Sequence, residues 1–214
     1  MTDSVDTILL AMPTLDFKID VQVLGGLLQV MSTFGPALRP YFLSGDSNIR
    51  HCRNAIAHYF MMHTDCDALV CIDSDIVFGL QDFSCLAEQI GEENAAVAPY
   101  ARKKVGAAPV DFGMGFARIN RSAFQKLSDW RTDDGAEMLH RYFLDGELAV
   151  DYFFDGATPD SRWLSEDTGF WHWCHLAGVQ LRKEPRTKLG HVGRFVYGYP
   201  DQTPGLIPIE SGAQ

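Results

Sequence analysis

Asp67-Ala68-Leu69-Val70-Cys71-Ile72-Asp73-Ser74-Asp75-Ile76-Val77-Phe78 is the stretch whose reading decides the architecture. Ala68 to Ile72 is uniformly apolar and flanked by acids, too greasy for a strand with one wet face. Such a run suits a strand buried on both faces, as in a parallel sheet covered by helices. It ends in Asp73-Ser74-Asp75. In open parallel α/β sheets, ligands bind beyond the carboxyl ends of the strands, so the two acids stand at a ligand-binding edge. If the triplet stays extended, its i and i+2 carboxylates point the same way and Ser74 the other. Two hard oxygen donors there suit Mg²⁺ or Mn²⁺. Acids at a strand end also serve turns, so the triplet alone leaves both readings open.

The surroundings repeat the β-α rhythm. Thr7 to Met12, Tyr41 to Ser44 and Ala95 to Pro99 read as further short strands. Ile19, Val23, Leu27, Val30, Met31 and Phe34 recur at helical spacing up to Gly35-Pro36, and Gly25-Gly26 inside that helix calls for close packing or a kink. Ile49, Cys52, Ile56, Tyr59 and Phe60 share one helical face. Asp82 is expected to cap a helix carrying Phe83, Leu86, Ala87 and Ile90, closed by Gly91. Strands alternating with helices imply parallel β-α units.

The second half is less regular. Val110 to Ile119 reads as a glycine-interrupted strand, followed by a short helix that Asn120 caps and that holds Phe124 and Leu127. Residues 129–165 are acidic, aromatic and turn-rich, more like active-site loops than core. Ser165 caps a helix with Phe170, Trp173, Cys174 and Ala177 inward, ending at Gly178. A strand near Val179 to Leu181 follows, then a loop with Gly190-His191-Val192-Gly193 and a Pro/Gly-rich tail. One domain, 1–214, is expected, with a half at 1–105, a second half at 106–193 and an irregular tail at 194–214.

Bulk properties narrow the function classes. The 214 residues suffice for one α/β domain with a real core. A formal charge of −10 without a basic stripe argues against nucleic-acid binding. It permits an anionic small substrate, since one divalent cation reverses the local field. Five scattered cysteines without a CxxC pair read as reduced core residues, and no apolar run reaches the ~20 residues of a membrane span. The expectation is a cytosolic protein.

In order along the chain stand Arg53-Asn54-Ala55-Ile56, the strand ending in Asp73-Ser74-Asp75, then Val110 to Phe124 with Gly113, Gly115, Ile119, Arg121 and Phe124. Trp163-Leu164-Ser165-Glu166-Asp167 and Leu189-Gly190-His191-Val192-Gly193 follow. This series resembles GT-A glycosyltransferases, which act on nucleotide-diphospho-sugars; the likeness is to compact bacterial, phage or large-virus domains. It implies a Rossmann-like α/β domain with a mostly parallel central sheet flanked by helices. It further implies Mn²⁺ or Mg²⁺ as cofactor, a nucleotide-sugar donor (UDP-linked favoured) and a carbohydrate or glycoconjugate acceptor.

The resemblance also implies roles. Asp75 binds the metal directly, Asp73 the ribose or the metal through water, and His191 supplies a third protein ligand. Arg53 approaches the nucleotide or its phosphates, with Ser74 on the donor side, Pro13 and Thr14 touch the base, and Lys188 offers a cation to the leaving diphosphate or stays solvated. Glu166 or Asp167, with Asp167 preferred, acts as base or positions the acceptor. Both acids also suit the first turn of a helix with no catalytic duty. Phe112, Gly113, Gly115 and Trp163 lie on the acceptor side, where Trp163, Phe112 and Tyr100 offer stacking faces or serve as core. His172 and His175 share a helix face without a carboxylate partner and read as surface or core. Three alternatives stay open, one of them a phosphoryl-transfer protein with an acidic strand-end pocket, which would not require the distant Glu166-Asp167 and His191. A sugar-phosphate nucleotidyltransferase would want a glycine-rich basic motif where Pro13-Thr14-Leu15-Asp16 stands. A catalytically silent sugar-nucleotide or carbohydrate-binding domain would need none of the acids.

Overall fold

Residue burial in the strands explains the layering. In the computed structural model, which describes residues 6–16, 18–88, 94–100, 112–131, 135, 138–157, 161–193, 195–198 and 207–208, the chain runs β1 (Ile8–Thr14), α1 (Val21–Phe34), β2 (Leu38–Ser44), α2 (Ile49–His63), β3 (Ala68–Ile72), β4 (Ile76–Val77), α3 (Leu80–Ala87) and β5 (Ala95–Val97). It continues through β6 (Phe116–Asn120), α4 (Arg121–Asp129), β7 (Arg141–Leu144), β8 (Glu147–Val150), β9 (Gly156–Ala157), β10 (Trp163–Leu164) and α5 (Glu166–Leu176). β11 (Leu181–Lys183), β12 (Gly190–Val192), β13 (Phe195–Gly198) and β14 (Ile207–Pro208) complete the order.

Six strands form the central sheet in the order β11-β5-β6-β3-β1-β2. β6 runs antiparallel to both neighbours, and the remaining strands are parallel to one another. The fold is therefore mixed α/β with a mostly parallel sheet, as expected for a Rossmann-like domain. Strands from 1–105 and from 106–193 interleave in this one sheet.

Alternation along the strands feeds two cores. Leu9, Ala11, Leu69 and Cys71 face α2, α4 and α5 through Ile56, Phe60, Phe124 and Phe170. Leu10, Met12, Val70 and Ile72 face α1 and α3 through Val23, Leu27, Phe83 and Leu86. Both faces of β1 and β3 are dry, which is why Ala68 to Ile72 is continuously apolar. Gly26 is required by packing, because a Cβ there would meet the Phe78 carbonyl oxygen at 2.1 Å. All five cysteines are reduced and buried.

Several expectations are corrected. Asp82 is the third residue of α3 rather than its cap, and its carboxylate accepts from the Gly79 N–H at 2.8 Å. Ile90, Gly91 and Val110 lie outside the described residues, and the strand expected from Val110 begins at Phe116. The 129–165 region contributes a β7–β8 hairpin across Asp145-Gly146, and Tyr152 and Phe153 enter the core. Trp171, not only Trp173, turns inward from α5. His191 sits on a strand, with β12 pairing antiparallel to β4 and β13. The tail expected to be irregular contains β13 and β14, which pair with each other. No helix among the described residues is long and apolar enough to cross a membrane.

Candidate functional site

The carboxyl ends of β1 and β3 lie on one edge of the sheet. The register Ala11↔Cys71 carries Pro13 and Thr14 to the level of Asp73 and Ser74. Both β1 residues are buried and pair with Leu43 and Ser44, and the Thr14 carbonyl accepts from Gly45. β6 brings Gly115 alongside, its carbonyl accepting from the Asp73 N–H at 3.0 Å.

Asp73-Ser74-Asp75 is not extended. The Ile76 N–H donates to the Asp73 carbonyl at 3.1 Å, closing a turn between β3 and β4. Four residues in a turn no longer point i and i+2 to one side, and the two carboxylates take different partners. Asp73 accepts from the Arg53 guanidinium at 3.3 Å to each oxygen. Asp75 Oδ1 lies 3.5 Å from His191 Nε2, and the Asp75 carbonyl accepts from the Val192 N–H at 2.7 Å.

Arg53 is the organising residue. It projects from α2, is 4% exposed, and donates at 2.7 Å to Glu166 in the first turn of α5 while also holding Asp73. Burial works to lower its pKa, but the Asp73 and Glu166 carboxylates outweigh it and hold the guanidinium above its ordinary value. Its Nε has no partner among the described residues. Arg53 therefore ties α2, β3 and α5 together through the acids and does not present an open fork to a phosphate.

Glu166 is held by this bridge through Oε1, and Asp167 is likewise held through one oxygen. Its Oδ1 accepts from Ser165 Oγ at 2.5 Å and from the Thr168 N–H at 2.7 Å. Asp167 Oδ2 and Glu166 Oε2 both lack a hydrogen-bond partner among the described residues, and the two acids differ in that Glu166 is ion-paired to Arg53. Tyr100 completes the cluster. Its ring meets the His191 ring edge-on at 5.4 Å, and burial, reinforced by the Asp73 charge, pushes its phenol above the ordinary range. Gly115 lets these groups close up, since a Cβ there would lie 2.9 Å from Tyr100 and 3.1 Å from Asp73 Oδ2.

The chemistry of the donors fits a divalent cation at Asp75 and His191. Two ligands of one ion, bonded at ~2.0–2.2 Å, stand about 3–3.5 Å apart, and these two are 3.5 Å apart. Asp73, the third expected ligand, does not converge with them into one trio. Its carboxylate is turned to Arg53. On the flanks, Trp163 is 70% and Phe112 42% exposed, whereas Gly113 is buried. Lys188 is exposed, with its backbone N–H held by Asp82 at 2.6 Å. His172 and His175 enter no metal-binding trio among the described residues.

No family model matches the chain, and no curated protein matches it in sequence. Among solved structures it is similar to A197 from STIV, with 16% identity and a TM-score of 0.59 over 92% of this chain and 91% of that one. The likeness extends to the fold. A glycosyltransferase involved in the glycosylation of the major capsid of PBCV-1 matches 54% of this chain and 61% of its own. That match has 9% identity and a TM-score of 0.36, too slight to carry an argument.

Other polar residues near the resembling motifs serve the framework. Arg121 donates to the carbonyls of Phe60, Met61, Thr64 and Cys66, so it closes the C-terminal end of α2. Asn54 donates to Asp151 at 2.6 Å and accepts from the Phe153 N–H at 3.1 Å. Composition does not reveal a polar cleft of about 280 Å³ lined by Arg50, Asn54, His140, Tyr142 and Asp151. Its residues come from α2 and the hairpin, almost a hundred positions apart, with no local spacing to betray them.

Proposed function

We propose that this chain transfers a sugar from a nucleoside-diphospho-sugar, with a UDP-linked donor favoured, to an acceptor hydroxyl. The observation that carries the reading is the Arg53 bridge. It gathers Asp73 and Glu166 at the carboxyl edge of the sheet, and Tyr100 joins that pair to His191. Four sequence pieces with no local reason to meet thereby share one site.

Asp75 and His191 would hold Mn²⁺ or Mg²⁺, which when bound offsets the charge growing on the leaving diphosphate. Pro13, Thr14 and Ser74 line the donor side, with Asp73 oriented by Arg53 toward the ribose. Lys188 stands in solvent beyond, available as a diffuse positive charge. Asp167 takes the proton of the acceptor hydroxyl through Oδ2, which Arg53 does not hold. Glu166, neutralised by Arg53, positions the start of α5. Trp163 and Phe112 offer apolar faces on which a sugar ring packs.

The test is metal-dependent hydrolysis and transfer across UDP-, GDP- and dTDP-sugars, comparing the wild type with Asp75→Ala. Turnover that needs Mn²⁺ and falls at least ~10²-fold in the variant is the expected result. Absence of metal-dependent donor binding in the wild type, or an unaffected variant, would sink the reading.

A further inference from the structure

Far along α2 from Arg53, a second set of ligand-type side chains converges. His58 Nε2 lies 2.8 Å and His63 Nε2 3.0 Å from the same oxygen, Oε2 of Glu147. One ligand atom from each of the three residues falls within 4.8 Å of the others, and among the described residues no other trio of His, Cys, Asp and Glu does this. We propose that His58, His63 and Glu147 bind a Zn²⁺-type divalent cation that staples the β7–β8 hairpin to α2.

The donor set selects the class of ion. Two imidazole nitrogens and one carboxylate oxygen suit zinc and its transition-series neighbours, whereas Mg²⁺ and Ca²⁺ prefer all-oxygen shells. Geometry agrees. Bonds of 2.0–2.1 Å in a tetrahedron place ligand atoms about 3.3 Å apart, so the two histidine–glutamate edges need only open by a few tenths of an ångström from their hydrogen-bonded spacing. The two rings lie edge to face, with centroids 5.7 Å apart and planes at 78°, and both Nε2 atoms reach the same carboxylate oxygen.

Each ligand is fixed by a different device. His58 is 8% exposed on the packed face of α2. His63 is the last residue of that helix, its ring centroid 5.8 Å from that of Tyr59. Glu147 follows the tight Asp145-Gly146 turn, whose two residues have φ of 49° and 89°. The side chains of His63 and Glu147 are 44% and 49% exposed. The outer side of the site therefore faces solvent, which gives an entry path and a position for a water ligand. The site does not depend on the sugar-transfer reading, since His63 lies ten residues, about 15 Å of helix, beyond Arg53.

The experiment titrates the full chain with Zn²⁺ by calorimetry and with Co²⁺ by visible absorption. The expected result is a Zn²⁺-binding step, separate from any at Asp75 and His191, and a four-coordinate Co²⁺ spectrum, that His63→Ala and Glu147→Gln remove. Both signals should persist in Asp75→Ala and in His172→Ala. Outer-shell losses alone weaken metal sites about 10–100-fold, so loss of a direct ligand should cost at least ~10-fold in affinity. Zn²⁺ should also raise the Tm of the wild type and not that of the two variants. Both substituted positions are half exposed, so folding is preserved, and circular dichroism checks it. A wild type that binds no Zn²⁺, or variants that bind it as the wild type does, would overturn the site and leave the trio as a hydrogen-bonded clamp.

Discussion

Helix α2 carries two acid clusters three residues apart, and they are built to opposite ends. Arg53 collects Asp73 and Glu166 at the sheet edge, where Glu166 and Asp167 each have one oxygen without a partner among the described residues and Asp75 faces His191 in partial exposure. Arg50 collects Asp151 and Asp155, and of these Asp151 is closed off. Asp151 is 6% exposed, takes two donors from Arg50 and a third from Asn54, which in turn holds the Phe153 N–H. A buried carboxylate whose lone pairs are filled is a strut, because any proton or ligand would have to displace strong bonds. A carboxylate with one oxygen committed and one free is oriented yet available. The contrast separates the framework from the chemistry without reference to any relative.

Asp167→Asn tests the open side of the comparison and should have the largest effect. The amide keeps the helix start and the donor side, but it cannot take a proton. Transfer should fall by about 10³-fold with donor binding unchanged. Lost donor binding would mean that Asp167 belongs to the framework after all. Asp151→Ala tests the closed side. It removes one of the two carboxylates that Arg50 holds and leaves the buried Asn54 amide without its acceptor, and we expect a loss of about 2–3 kcal/mol in chemical denaturation with transfer per folded molecule nearly intact. A large loss of activity with unchanged stability would move the polar cleft beside Arg50 into the active site.

The two sides differ also in how far they can be read from sequence. Ala68 to Ile72 matches its strand end for end because a strand dry on both faces must be apolar throughout. Ser165 and Gly35 mark helix ends because capping is local chemistry, written in one or two residues. The 138–157 segment is illegible by composition, since its strands mix exposed Phe143 and Leu148 with buried Ala149 and Val150. Asp145-Gly146 is nonetheless a hairpin signal of its own, with both residues at positive φ. At the site, motif order points to the right sheet edge, but Arg53's commitment to Asp73 and Glu166 joins positions 113 apart in the chain. The same holds for His58, His63 and Glu147. The two histidines are five apart on α2, off the i+3 and i+4 spacing by which a helix pairs its side chains, and the carboxylate comes from a distant hairpin.

Glu184 offers a third carboxylate on which the distinction can be sharpened. It lies just beyond β11, is fully buried, and accepts at 2.7 Å from both Arg186 Nε and Nη2 and at 3.1 Å from the Arg186 N–H, with Arg182 on the remaining side. Burial works to raise its pKa, but these hydrogen bonds and charges outweigh it and hold the carboxyl below its ordinary value. A depressed folded pKa means the unfolded chain binds the proton more readily. The stabilisation is therefore complete above the unfolded value of about 4.3 and is lost as pH falls through the lower folded one. Glu184→Gln should cost about 1–2 kcal/mol at pH 7, kept modest because Arg186 is partly solvated. The gap between variant and wild type should then close as denaturation is repeated below about pH 4. A gap that stays constant with pH would show that the side chain contributes through packing alone, and filled lone pairs would no longer suffice to tell a strut from an available acid.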